Sequence, residues 1–476
     1  MESFSKLSEY IKELFHDSSD LVVREIDWPD DEAILCHFSV LMDNSVISEQ
    51  LNMIQNRLQE KLPNWGETPT SSLETFHPSK LVEYVCAGES TIILVKANLL
   101  LRITLPNVPH RAPMEPGNEI VVQGPHDGFV ESMDVNIALV RKRLLIPNLV
   151  VRKVVVSSFS KTPMCYMYIE SKVNQVTLDE IHNRLRKLET DFLFSTGQIQ
   201  DELEDNIWSP FPQLMTTERP DKVATNLMEG KVVILVDQSP TALLGPVTFF
   251  SFYQSPDDYN GRVLVGSFFR LLRIFSFLTA IFLPAFYIAI VSFHFEVLPL
   301  ELSKTVKTSV NEIPYRPFIE AMILEITIEL IREASIRLPS PVGQTIGIVG
   351  GLVIGDAIVS AGLVSNLMVI VVALTAISSF VVPSNEMNMS IRLLRYPFMI
   401  AASLFGFFGI VIGTLILFIH LTNLRSLTQP YFYPVVPFKP SVFKDIFFRR
   451  PFPKPHLQAT SFTPKKNEDR SKEDKL

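Results

Sequence analysis

The property that most constrains this chain is a break in its composition. Charged residues are spread from the N-terminus as far as Asn260, whereas over residues 274–419 they thin out and Phe, Ile, Leu, Val and Gly take over. Such a run is poorly solvated by water, and a bilayer accepts it as helices of roughly 20 apolar residues each. A chain of 476 residues has room for two or three domains. The expected fold class is an α/β soluble N-terminal region, made of two mixed α/β subdomains, followed by an α-helical polytopic membrane domain.

Matching apolar runs to bilayer thickness gives four candidate spans, 274–293, 342–364, 367–382 and 397–419, within a membrane domain over 261–424. The first contains Pro284, which implies a kink that neighbouring helices accommodate. Arg262, Arg270 and Arg273 precede it, and Arg425, Lys439, Lys444, Arg449 and Arg450 follow the last. The positive-inside rule therefore places both termini in the cytoplasm. Arg392 and Arg395 cut against this count, because they fall in a loop that it puts outside. Either they snorkel at the interface or one segment is re-entrant.

Within the N-terminal region, apolar residues recur at helical spacing over 4–15 and 45–62, and strand-like runs follow at 90–96 and 100–105. These compose a first subdomain over 1–123. A second, over 124–260, reads as a helix at 134–145, strands at 149–157, 164–170 and 231–237, and a helix at 178–190. The segment SPFPQLMTTERPDKV between the last two is too rich in proline to be regular structure. No internal sequence repeat is evident. The Pro-rich, charged tail over 425–476 is expected to be largely disordered.

Several function classes are disfavoured. The net charge of -8 already includes a basic tail, and no Lys/Arg cluster is interleaved with stacking aromatics, so nucleic acid is not an expected partner. Cys36, Cys86 and Cys165 lie far apart without metal-ligand spacing, which favours reduced, buried thiols. The first residues have no apolar run of signal-peptide type, so membrane entry is expected from internal spans. HExxH, GxSxG and Walker A patterns are missing and the nine histidines show no metal spacing. Neither an enzyme nor a cofactor is expected. The glycines of IGIVGGLVIG occupy an apolar span with no preceding strand, unlike a dinucleotide loop.

Three patterns point to function. Gly343, Gly347, Gly351 and Gly355 form a stripe spaced by four, with Gly409 and Gly413 repeating the device, so backbones can approach closely either within one subunit or between subunits. Asp356 follows the stripe inside a span, where a carboxylate marks a cavity or ion path, or else sits protonated near one membrane edge. In FIEAMILEITIELIREASIRLP, over 318–337, Glu325, Glu329 and Glu333 share one helical arc with Arg332 beside them. Glu320 falls in the opposite, apolar arc but lies in the first turn, where the helix dipole favours a carboxylate. That amphipathic or re-entrant helix either lies flat on the bilayer or lines an aqueous path for cations.

The segments LEDNIWSPFPQLMTTERPDKV, KVVILVDQSP, SPDDYNGR, VSFHFEVLP, FIEAMILEITIELIREASIRLPSPVGQTIGIVGGLVIG and PYFYPVVPF, in this order, resemble the A subunits of GerA-type spore germinant receptors of Bacillaceae. The resemblance runs from about Gly124 to Pro437. It implies a non-enzymatic, multi-pass subunit of the inner spore membrane, assembled with a transporter-like B subunit and a lipoprotein C subunit. It also implies homo-oligomers of A subunits that conduct ions when nutrient binds, with the nutrient site on another chain. The readings from other classes are a secondary transporter of an amino acid or ion, and a membrane-anchored enzyme. Transporters usually carry more spans and paired repeats.

Overall fold

The computed structural model describes residues 2–449 apart from positions 30, 43, 61–65, 68–69, 105–114, 118, 120, 122–123, 158, 189–192, 194, 340–341, 344–346 and 348–349. Its first layer is an antiparallel sheet of β1 (Leu21–Trp28), β2 (Asp31–Phe38), β3 (Ser71–Thr75), β4 (Ser90–Leu94) and β5 (Leu99–Ile103), in the order β1-β2-β4-β5-β3. Helices α1 (Glu2–Leu14), α2 (Asn44–Gln59) and α3 (Pro78–Cys86) cover it. Every residue of β4 is buried, as expected of a central strand with both faces covered. Sequence patterning does not single out β1, which carries Arg24, Glu25 and Asp27 on an edge strand that meets water.

The second sheet contains β6 (Leu149–Val156), β7 (Thr162–Ile169), β8 (Met215–Thr217), β9 (Val232–Val236) and β10 (Ala242–Gly245), in the order β6-β7-β9-β10-β8. With α4 (Met133–Arg143), α5 (Gln175–Arg186), α6 (Thr196–Leu203) and α7 (Pro220–Met228), it repeats the topology of the first unit. Within the stretch expected to be irregular, the structure instead places β8 and the start of α7. Pro220 occupies the first helical turn, where its missing N–H is no loss. The duplication is visible residue by residue at one place. Helices α3 and α7 are each 9 residues long, each begin with proline, and each is followed by a glycine at positive φ, Gly88 at 86° and Gly230 at 88°. A β-carbon on Gly230 would lie 2.5 Å from the Lys172 carbonyl oxygen.

A buried ion pair joins the two units. Arg141, on α4, donates through Nη2 to Asp20 Oδ1 at 2.7 Å, to Ser18 Oγ at 3.0 Å and to the Leu149 carbonyl at 3.2 Å, and its guanidinium lies 3.7 Å from the centroid of Phe38. Ser18 Oγ in turn accepts from Val151 N at 2.9 Å. Both charges are buried, so the pairing and the extra hydrogen bonds are what make the burial tolerable.

Beyond the short helix α8 (Asp257–Asn260), the C-terminal half is a helical bundle around α9 (Val263–Phe293), which continues through Pro284. The other helices are α10 (Leu300–Asn311), α11 (Pro317–Arg337), α12 (Gly355–Ser360), α13 (Asn366–Phe380), α14 (Asn385–Phe405) and α15 (Phe407–Asn423). Helix α9 packs against α11, α13, α14 and α15. Among the described residues α9 alone is long and apolar enough to cross a bilayer by itself, while α13 and α15 are shorter apolar helices. Their outer faces carry Phe268, Phe275, Ile377, Phe408, Val411, Leu415 and Ile416, all exposed. That much contiguous exposed hydrocarbon suits lipid and not water.

Two expectations for this half are corrected. Residues 397–419 do not form one span: the chain reverses at Gly406, at a φ of 59° that favours glycine, and α14 and α15 fold into an antiparallel hairpin. Gly409 and Gly413 permit the hairpin, since added β-carbons would sit 2.1 Å from the Ala401 carbonyl oxygen and 2.8 Å from the Phe398 ring. The tail is also more ordered than expected. Strands β11 (Arg425–Ser426) and β12 (Gln429–Pro430) pair, Tyr431, Phe432 and Tyr433 are buried, and α16 (Pro440–Phe447) packs on α9. The high aromatic content of this stretch gives it enough apolar surface to bury. The charged segment beyond Arg449 lies outside the described residues. Of the remaining expected spans, 274–293 lies inside α9 and 367–382 corresponds to α13. The span at 342–364 falls partly outside the described residues, and its described part contains a π turn over Gly350–Ile354 followed by α12.

Two outcomes are expected from this architecture. Gly409→Leu should destabilise the hairpin by on the order of 1–3 kcal/mol through overpacking, lowering the thermal midpoint of the detergent-purified chain. Gly351→Leu, with open space around it in this chain, should leave that midpoint unchanged. His37, inside the first sheet, has its pKa pushed down to about 4, first by burial and then by the charge of Arg24. Because the unfolded chain binds this proton near 6.5, the stability is fully present above that pH and is lost as pH falls toward about 4. Thermal unfolding across this range should show the loss, and His37→Leu should reduce it.

Candidate functional site: a charge array inside the helical bundle

On α11, Glu325, Glu329 and Arg332 are spaced by four and three, which puts them on neighbouring turns of one face. On α14, Arg392 and Arg395 are likewise three apart. The two helices run antiparallel, so the faces meet in register. Arg395 Nη1 donates to Glu325 Oε2, and Arg392 Nη1 donates to Glu329 Oε1. Arg332 Nη1 reaches Glu329 Oε2 at 3.5 Å, and its guanidinium sits 4.5 Å from the centroid of Phe380 on α13. Five residues before Glu325, on another face of α11, Glu320 Oε2 accepts from Ser365 N at 2.9 Å, and Tyr287 Oη lies 3.3 Å from Ser365 Oγ.

The array consists of Glu325 and Glu329 with Arg332, Arg392 and Arg395, and Glu320 lies on another face of α11. The carboxylates of α11 are graded in depth: Glu320 and Glu325 are buried, Glu329 is 41% exposed and Glu333 is 57% exposed, where it pairs with Arg337 at 2.6 Å. The arc predicted from spacing thus runs from the bundle interior to its surface. Several buried polar atoms in it have no hydrogen-bond partner in the protein, including Glu325 Oε1, Arg395 Nε and Arg395 Nη2. The array is therefore only partly satisfied, and polar networks of that kind are easily perturbed.

The other sequence-derived positions lie apart from it. Asp356 is exposed in the first turn of α12. Gly343 and Gly347 approach Ser335 of α11, with β-carbon positions 2.6 Å from its carbonyl oxygen and 3.7 Å from its Oγ, whereas Gly351 and Gly355 have nothing within 4 Å. Among the described residues no group of three or more His, Cys, Asp or Glu is placed to hold a metal. The three cysteines are buried and free, and burial pushes the Cys86 thiol up to about 11.

Sequence reasoning did not make Arg392 and Arg395 partners of the acidic helix. Their conflict with the positive-inside count was the signal: they lie within α14, on the near side of the Gly406 reversal, and face carboxylates. It also missed the joint between the two halves. Ser209 Oγ lies 2.9 Å from His420 Nε2, Ser390 Oγ donates to the Pro210 carbonyl, Ser426 Oγ donates to the Gln213 carbonyl, and Thr216 Oγ1 donates to Glu386 Oε1. Phe211 and Phe249 pack there in edge contact, 6.0 Å apart, with Tyr431 alongside. The proline-rich segment is thus the clamp between the sheets and the bundle.

Breaking a buried pair from one side should be worse than removing it. Arg395→Met leaves the Glu325 carboxylate uncompensated and is expected to cost about 3–5 kcal/mol, while Glu325→Leu combined with Arg395→Met should recover most of that loss. Thermal melts of the two singles and the double, assembled as a double-mutant cycle, measure the coupling.

Residues 9–460 match the family model described as Bacillus/Clostridium GerA spore germination protein. The chain is 37% identical over 443 residues to spore germination protein A1 of Bacillus subtilis, covering 89% of this chain and 91% of that one. It is 36% identical over 451 residues to spore germination protein KA of the same species, covering 91% and 82%. An uncharacterized membrane protein, YfkQ, of that species is 37% identical over 447 residues, covering 91% and 86%. Among solved structures, the N-terminal domain of the A subunit of the Bacillus megaterium spore germinant receptor GerK3 aligns with 26% identity and a TM-score of 0.39, over 51% of this chain and 93% of that one. The chain therefore belongs to the GerA family of spore germination proteins, as a membrane-embedded A-type subunit.

Proposed function

We propose that this chain is the A subunit of a nutrient receptor in the inner spore membrane, and that it converts nutrient binding into ion release. Its partners in this reading are a transporter-like B subunit and a lipoprotein C subunit, and further copies of the chain complete an ion-conducting ring. Family membership supports the role in germination and argues against an enzyme. The observation that carries the ion-path reading is the graded array, in which Glu329 sits between the buried pair and the exposed Glu333.

At rest Glu329 is held by Arg392 and Arg332, so it offers little charge to a passing cation. A shift of α14 along α11 by one helical turn, about 5.4 Å, would carry Arg392 toward Glu325 and leave Glu329 with Arg332 alone, the longer of its two contacts. Repeated around a ring, carboxylates released from Arg392 would concentrate cations as acidic rings do. Asp356, exposed at the start of α12, is a further candidate on the path. Gly351 and Gly355, open in the single chain, are the stripe positions left for contact between subunits. Both termini lie on the cytoplasmic side in this reading.

Potassium release from spores after nutrient addition, at matched receptor levels, tests the proposal. Glu329→Gln should slow release severalfold and Glu329→Lys should abolish it. Arg392→Gln, which leaves Glu329 with only its 3.5 Å contact to Arg332, should give release without nutrient. Normal kinetics in all three variants would rule Glu329 out of the path. Gly351→Leu should reduce crosslinked oligomers while leaving the single chain folded.

A further inference from the structure

The turn that clamps the two halves together also thrusts two apolar side chains outward. Ile207 is 62% exposed and Trp208 is 96% exposed, the latter an extreme value for the largest apolar side chain. A floppy loop does not explain it. Trp208 N donates to Asn206 Oδ1 at 3.1 Å, and Asp205 N and Asn206 N both donate to Gln213 Oε1, at 2.9 and 3.0 Å. Gln213 Nε2 returns a bond to the Asn206 carbonyl at 2.7 Å, and Gln213 itself is wholly buried. The turn is rigid, and it presents its indole on purpose-built backbone geometry.

Its position relative to the bundle is fixed by the next residue. Ser209 Oγ meets His420 Nε2 at 2.9 Å, in the last turn of α15. The exposed apolar face of α15 runs through Leu415, Ile416, Phe418 and Ile419 and ends there, giving way to His420, Asn423 and Arg425. Beside the turn, an open cavity of about 170 Å³ is lined by His420, Asn423 and Arg425 among others. Trp208 is thus held at the level where hydrocarbon-facing surface gives way to polar surface. Indole is most stable at that depth of a bilayer, with its ring in the acyl boundary and its N–H near the headgroups.

From this placement we infer that Ile207 and Trp208 seat the soluble region in the lipid interface, with the polar cavity facing phospholipid headgroups. The clamp segment would then sense the membrane surface directly, since the same turn contacts α14 and α15. The inference rests on the reading that the bundle lies in a bilayer, and the experiment separates the two.

The full chain carrying Trp28→Phe and Trp65→Phe, so that Trp208 is the sole tryptophan, is placed in nanodiscs of phosphatidylglycerol and phosphatidylethanolamine. Lipids brominated near the carbonyl end of the acyl chain should quench its emission strongly, and aqueous acrylamide should quench it severalfold less than a free tryptophan. Adding Leu415→Trp to a Trp208→Phe version of this background reports on the bundle. If Leu415→Trp is quenched by bromolipid while acrylamide reaches Trp208 freely, the inference falls and the bilayer reading stands. If neither site is quenched by lipid, both fall. Shielding of Trp208 from lipid and acrylamide alike marks a protein contact, a second copy of the chain, and also overturns the inference. Should the tryptophan-free background not fold, Ile207→Cys labelled with bimane in the otherwise native chain gives the same readout, because Cys36, Cys86 and Cys165 are buried.

Discussion

Burial of opposite charges in an apolar bundle is the constraint on which the helical half depends. An isolated carboxylate or guanidinium inside such a bundle would cost several kcal/mol, so Glu325 and Arg395 are tolerable there only together. Pairing of Glu325 with Arg395 and of Glu329 with Arg392 fixes how far α11 and α14 slide along one another. Apolar packing alone leaves that register soft, because one helical turn of leucine and isoleucine resembles the next. With the register set, Gly406 reverses the chain and Gly409 and Gly413 bring α15 onto α14 at backbone contact. The position of three helices follows from two ion pairs and three glycines.

Helix α14 carries a second set of contacts at its first turns. Glu386 and Ser390 hold Thr216 and Pro210 of the clamp, and Arg392 and Arg395 follow on the same helix. A displacement of the clamp therefore acts on the charge array through one rigid element without an intervening loop. At the base of α9 a comparable anchor holds the chain entering the bundle: Asp258 is buried between Arg270 and Arg273, with Arg273 Nη1 at 2.7 Å, and Gly266 leaves room for the Asp258 carbonyl. Arg449 closes it by donating to the carbonyls of Gly261 and Tyr259 at 2.6 and 2.8 Å. The motif SPDDYNGR reads in the structure as the hinge plate of the bundle.

How much of this was legible in the sequence differs by element, for physical reasons. The division into an α/β region and an apolar helical region follows from composition, and the strands at 149–156 and 232–236 from β-branched runs that a buried strand requires. The topological repeat was not legible, because after divergence only the proline, the glycine and the β-strand hydrophobicity persist between α3–β4 and α7–β9. The acidic arc on α11 was legible from periodicity, but periodicity within one helix says nothing about its neighbour, so Arg392 and Arg395 remained a topological anomaly. The reversal at Gly406 was hidden for a related reason. A hairpin of two apolar helices joined by one glycine has the hydropathy of a single long span, and only the positive φ and the contacts of Gly409 and Gly413 tell them apart.

The proposed re-pairing would account for a receptor that is stable at rest and yet poised to change. Glu325 and Glu329 are each met by a guanidinium, of Arg395 for the first and of Arg392 and Arg332 for the second. Yet Glu325 Oε1 and two nitrogens of Arg395 stay without protein partners. A fully satisfied network would lock one register, whereas this one leaves spare donors and an acceptor that the proposed second register could use. One end of α14 is gripped by the clamp, so under the proposed re-pairing a partner that moved the soluble region would act on the array through this one helix.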